Sequence, residues 1–118
     1  MWVSIFWPAR RAVAQPIKEI LDRSPVLYGE ENSFSYKTTV VVIFDPECPV
    51  CKDACDELTR ISRTYAQAEF YWVLVRPNER IMTAARPFFE RMRGKWVEDA
   101  GIVAALGAKV TPEAFVLD

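Results

Sequence analysis

All three cysteines of this 118-residue chain fall within F-D-P-E-C-P-V-C-K-D-A-C, residues Phe44 to Cys55. Cys48 and Cys51 stand at C-x-x-C spacing, and Cys55 follows one helical turn later. Thiols so placed can exchange electrons with a disulfide, bind a soft metal, or simply pack as small hydrophobes. Position on a helix decides among these. Cys48 precedes Pro49, and proline favours the first helical position because its missing N–H would have no partner there. Cys48 is then the N-cap, with its sulfur near the free N–H groups of Val50 and Cys51. A thiolate is the better acceptor and the positive helix end favours its charge, so the Cys48 pKa is expected to fall. Glu47 beside it opposes that charge and Lys52 offsets Glu47. Cys51, three residues on, can reach Cys48 to close a disulfide and lies on the buried side of the helix. An exposed nucleophile with a shielded partner is what thiol–disulfide exchange requires. Cys55, a further turn inward, reads as core.

Positioning these residues falls to a strand before them and a helix carrying them. Thr38 to Phe44, T-T-V-V-V-I-F, is β-branched without polar alternation, as in a strand buried on both faces. A helix is expected from Pro49 to about Tyr65, with an apolar stripe of Cys51, Cys55, Leu58, Ile61 or Ser62, and Tyr65. Lys52, Asp53, Asp56, Arg60 and Arg63 take its wet side, with Asp56 and Arg60 at i,i+4 spacing. Elsewhere, Ala9 to Arg23 is helix-like around Pro16, and Val26 to Tyr36 reads as a hairpin about Gly29 to Asn32. Glu69 to Val75 is a second buried strand. Asn78 to Arg93 is a helix divided by Pro87, Asp99 to Leu106 a short helix stopped by Gly107, and Glu113 to Leu117 a last strand. Strands alternating with helices give an α/β fold, with residues 1–24 as an N-terminal extension or helix and residues 25–118 as the domain. The working site of such a sheet lies beyond the carboxyl ends of its strands, where Phe44 to Pro49 falls.

Composition narrows the chemistry. Fifteen basic and sixteen acidic residues leave a net charge of −1, with no electropositive excess for nucleic acid. Histidine is absent, which excludes Ser/His/Asp and Cys/His hydrolase arrangements and the commonest imidazole metal ligand. No run approaches the roughly 20 apolar residues needed to span a membrane. Ala12-Val13-Ala14 looks like a leader cleavage site, but Arg10 and Arg11 interrupt the apolar segment that should precede it. A remnant of a longer leader or a surface strand fits those residues better. The aromatic residues Phe70, Tyr71, Trp72, Phe88 and Phe89 read as core, while Trp2, Phe6 and Trp7 could cover an apolar edge.

The late V-T-P-E-A-F-V-L-D, Val110 to Asp118, completes a pattern. F-D-P-E-C-P-V-C-K after V-V-V-I-F, paired with that segment, resembles the thioredoxin superfamily. Within it, the likeness is to redoxin-domain proteins of the thiol–disulfide oxidoreductase and alkyl-hydroperoxide-reductase-like group. The resemblance implies a thioredoxin-like fold, a central mixed sheet flanked by helices, here lacking the C-terminal strand and helix. It implies Cys48 as nucleophile, Cys51 as resolving thiol and Pro112 as a cis-proline. Thr111 and Pro112 would dock the substrate backbone, with Pro49 and Val50 beside them. A protein disulfide or an upstream redox partner is the implied partner, with no cofactor, and a bacterial extracytoplasmic setting is the group's habit.

Departures from the pattern are specific. Pro49-Val50 replaces Gly-Pro between the cysteines, Glu47 replaces tryptophan, and Val42 replaces the buried acid of the preceding strand. Asp45 stands where peroxiredoxins carry threonine, which argues against a peroxidase. Beyond Asp118, the absent antiparallel strand would leave an open edge for a homodimer. Two further readings remain: a non-catalytic interaction or edge-pairing domain, and Cu(I) or Zn(II) thiolate binding by Cys48, Cys51 and Cys55.

Overall fold

Two strands buried on both faces set the frame. The computed structural model describes residues 10–12, 14–29, 38–65 and 67–117. In it β3 (Thr38–Phe44) lies parallel to β4 (Ala68–Leu74) in register from Thr38↔Ala68 to Phe44↔Leu74. The period of two in a strand sends their side chains alternately to either face. Val40, Val42 and Phe44 join Phe70, Trp72 and Leu74 on one face, beneath α2 (Pro49–Asp53), α3 (Cys55–Thr64) and α4 (Glu79–Phe89). Val41 and Ile43 join Tyr71 and Val73 on the other, beneath α1 (Ala14–Arg23) and α5 (Ile102–Leu106). Such burial on both faces is why neither strand alternates with polar residues.

The six strands run in the order β1-β6-β3-β4-β5-β2. Here β1 is Arg10–Ala12, β2 Val26–Tyr28, β5 Lys95–Glu98 and β6 Glu113–Leu117. Strands β3, β4 and β5 are parallel, whereas β6 is antiparallel to β3 and β2 antiparallel to β5. The sheet is therefore mixed, as expected. No helix among the described residues is long and apolar enough to cross a membrane.

Several expectations are corrected. Ala9 to Arg23 is not one helix: Arg10–Ala12 forms β1, and α1 begins at Ala14 with Pro16 in the first turn, where no N–H is required. The outer edge of β6, expected to be open for self-pairing, carries β1 in parallel register, Arg10↔Phe115 to Ala12↔Leu117. Both outer strands of the sheet, β1 and β2, are three residues long, which suits short protected edges. The first arm of the expected hairpin pairs instead with β5, and its second arm lies outside the described residues, as do Trp2, Phe6 and Trp7. Pro87 sits inside α4 without dividing it. The single helix expected from Pro49 is two, α2 and α3, joined through Ala54, whose N–H still reaches Val50 O at 3.0 Å.

Aromatic side chains fill the α2–α3–α4 face. Trp72 and Trp96 stack at 5.6 Å, and Phe44 meets Trp96 and Phe88 edge-on at 5.6 and 5.2 Å. Gly94 makes this cluster possible. Its φ of 138° suits glycine, and a Cβ there would lie 2.5 Å from Phe70 O and 2.8 Å from Trp72 Nε1.

Candidate active site

The end of β3 delivers the chain to the cysteines through a tight turn. Glu47 N–H donates to Asp45 Oδ1 at 2.9 Å and Cys48 N–H to Asp45 O at 3.1 Å. Cys48 then occupies the N-cap of α2 in extended conformation, followed by Pro49, with Lys52 N–H donating to its carbonyl at 3.0 Å. The stripe behind it is buried as its spacing implies: Cys51, Cys55, Leu58, Ile61 and Ser62 all face the core. Asp56 and Arg60 do not pair with each other. Arg60 reaches Glu57 at 2.5 Å and Asp56 reaches Arg91 at 2.8 Å, because α3 packs with Arg91 alongside.

Cys48 and Cys51 differ sharply. Cys48 is half-buried and its pKa is lowered, chiefly by the Cys51 amide N–H and then by the Thr111 side chain, with the Val50 amide adding to both. Against these stands its partial burial, which disfavours the charge; in the neutral form the thiol donates to Thr111 O at 3.7 Å. The amides and hydroxyl prevail, as helix-mouth placement predicts. Cys51 is fully buried, and burial pushes its thiol up to about 12, with the charge of Cys48 adding to the rise. Asp45 N–H, at 3.4 Å from Cys51 Sγ, and the Thr111 side chain work the other way. Val42, where the resemblance implied a buried acid, is buried on the same face and supplies no carboxylate.

Glu47 and Lys52 are not among the causes of the Cys48 shift. Glu47 instead forms an ion pair with Arg80 at 3.3 Å, and Lys52 points into solvent. The Thr111–Pro112 bond is cis, with Pro112 buried and Thr111 beside Cys48. Val50 and Val110, exposed at 58% and 64%, stand on either side of this junction as apolar surface. A cleft of about 440 Å³ opens next to it, lined by Phe44, Asp45, Pro46, Glu47, Val75, Arg76, Asn78, Arg80, Ile81 and Thr111. Its far wall is the turn from β4 into α4, where Arg76 adopts a φ of 51°. Non-glycine residues rarely take that conformation, and strained backbone of this kind clusters at working sites.

Cys55 is 5% exposed within the core, and among the described residues no three histidine, cysteine, aspartate or glutamate side chains converge as a metal site would need. Sequence reasoning overlooked Glu113. Its carboxylate accepts the amides of Lys109 and Val110 just before Thr111, and the only signal was its place immediately after Pro112.

No family model matches the chain, and no curated protein does. Solved structures do. A secreted Mycobacterium tuberculosis disulfide oxidoreductase homologous to E. coli DsbE is 21% identical with a TM-score of 0.56, over 66% of this chain and 59% of that one. The chain thus spans somewhat over half the length of that protein. DsbF of the same organism, solved in mixed oxidised and reduced forms, is 17% identical with a TM-score of 0.62, over 80% and 75% of the two chains. StoA from Bacillus subtilis is 16% identical with a TM-score of 0.60, over 80% and 77%. With its mixed sheet, the Cys48 helix mouth and the facing Thr111–Pro112 turn, the chain has the thioredoxin-like fold.

Proposed function

We propose that the chain is a thiol–disulfide oxidoreductase that reduces or exchanges protein disulfides through Cys48 and Cys51. The observation that carries this is the asymmetry of the pair: an accessible thiol of lowered pKa in front of a buried thiol held near 12. The Cys48 thiolate attacks one sulfur of a substrate disulfide, forming a mixed disulfide and expelling the other sulfur as a thiolate. Cys51 then loses its proton and attacks Cys48 Sγ. The second substrate thiolate leaves, and Cys48–Cys51 becomes the disulfide. Two electrons pass to substrate, and the oxidised pair is re-reduced by a dithiol redox partner. Reduction is the favoured direction, since no histidine lies between the cysteines to stabilise a very acidic thiolate. Thr111 and Pro112 present backbone to an extended substrate segment, with Pro49 and Val50 as apolar contacts. A structural neighbour described as a disulfide oxidoreductase supports the same reading.

Insulin reduction by the protein with dithiothreitol as electron donor tests this. Cys48→Ser should abolish turnover, and Cys51→Ser should accumulate a mixed disulfide through Cys48. Turnover undiminished in Cys48→Ser, or a wild-type pair that stays reduced across oxidising glutathione buffers, would sink the proposal.

A further inference from the structure

The loop from Lys109 to Pro112 forms one wall of the redox site, where Cys48 Sγ meets Thr111 O, and a second side chain, that of Glu113, also holds its backbone. Glu113, the first residue of β6, turns its carboxylate back onto this loop. One oxygen accepts Lys109 N–H at 2.9 Å and Val110 N–H at 3.4 Å. The other accepts Arg10 Nη1 at 2.6 Å, and the Arg10 guanidinium also lies over the Phe115 ring at 5.4 Å. The Glu113 side chain is 11% exposed, whereas that of Arg10 is 56% exposed, so the carboxylate is tucked against the loop while its ion pair lies at the surface. The weight therefore falls on the charge-assisted bonds to the two amides, because an exposed ion pair contributes little.

We infer that Glu113 is a positioning residue of the redox site: it clamps the two amides before Thr111, holding Thr111 against Cys48, and through Arg10 it ties strand β1 to the same loop. This rests on the reading of Cys48 as the reacting thiol. The chain of contacts is short. Glu113 fixes Lys109 and Val110, Val110 precedes Thr111, and Thr111 touches Cys48 through its carbonyl at 3.7 Å. Arg10 belongs to a strand paired with β6, so displacement of β1 would strip one of the two carboxylate oxygens of its partner. The N-terminal strand is thereby wired to the loop that faces the thiol.

The test measures iodoacetamide alkylation of Cys48 against pH in Glu113→Ala, Glu113→Gln, Glu113→Asp and Arg10→Ala, with KM and kcat for insulin alongside. Glu113→Ala should move the alkylation midpoint upward, with about threefold less thiolate at neutral pH, and raise KM more than it lowers kcat. Glu113→Gln keeps an oxygen for the Lys109 amide and should restore most of both. Arg10→Ala should shift the midpoint in the same direction by less. A folded Glu113→Ala with the wild-type alkylation profile overturns the inference, as does a Glu113→Gln as impaired as Ala. If Glu113→Ala does not fold, Glu113→Asp decides: one methylene shorter, it should shift the midpoint upward, and a wild-type profile overturns the inference. Alkylation needs no turnover, so an inactive wild type would refute the oxidoreductase reading while leaving the clamp to be judged on its own profile.

Discussion

Alkaline titration of the fully reduced protein probes the burial of Cys51 directly. The native thiol is held near 12, against 9.0 for an ordinary thiol. Between those values the unfolded chain releases the Cys51 proton while the native state keeps it. The sign follows. A raised native pKa contributes stability that is whole below about 9 and is lost as pH rises toward 12, at about 1.4 kcal/mol per pH unit. Between pH 8 and about 10.5 the loss attributable to Cys51 is about 2 kcal/mol. Cys48 has the opposite sign, because its lowered pKa contributes stability above the ordinary thiol value and loses it as pH falls through the native one. Urea unfolding in excess reductant at both pH values, on wild type and Cys51→Ala, isolates the effect. The cavity left by alanine costs stability at both pH values, so only the difference between the two slopes is read. Wild type should lose about 2 kcal/mol more than the variant across the interval. Equal losses would refute the account of Cys51 as a protonated, desolvated thiol.

Three further outcomes follow from the packing and the charges. Gly94→Ala forces a Cβ against Phe70 O and Trp72 Nε1 at positive φ, and should lower Tm by more than about 10 °C in a thermal melt. Arg93 donates to the carbonyls of Ser62, Tyr65 and Ala68 at 2.7, 2.9 and 2.7 Å, joining the end of α3 to the start of β4. Arg93→Met should cost about 2–3 kcal/mol in urea unfolding, with Arg93→Lys recovering less than half because an ammonium cannot span the three acceptors. Cys48→Ser removes the charge that helps to raise Cys51, so the alkaline loss of stability should level off at a lower pH than in wild type. A curve superimposable on wild type would show that the two thiols do not interact.

The central strands and the division of labour between Cys48 and Cys51 were legible because each rests on a local rule. Seven β-branched or aromatic residues without polar interruption demand two-sided burial, and a cysteine before a proline at a helix start demands an N-cap. What escaped depends on long-range partners. Lys95–Glu98 follows a glycine and four residues of turn, and it is a strand because Trp96 and Val97 fill the two faces beside Trp72 and Val73. Arg10–Ala12 is a strand only because β6 lies beside it, Arg10 opposite Phe115. Glu47 and Lys52 were assigned by adjacency to Cys48, but in the fold Glu47 meets Arg80 from α4, a partner no spacing rule reveals. Glu113 escaped for the same reason: its partners are amides behind it and an arginine 103 residues away.

Val42 raises the question of how Cys51 is ever made to react. It faces Trp72 and Ala114 across the sheet, so the face that buries Cys51 offers an apolar group and no carboxylate at this position. Burial is the largest cause of the high Cys51 pKa, but the charge on Cys48 is a second, and that charge exists only while Cys48 is a free thiolate. In the proposed cycle the first attack converts it into a neutral mixed disulfide. The repulsion vanishes, the Asp45 N–H remains to stabilise a Cys51 thiolate, and the resolving thiol becomes easier to ionise once there is something to resolve. The charge on Cys48 thus adds to the burial that keeps Cys51 protonated in the reduced site, and the first attack of the proposed cycle removes that addition.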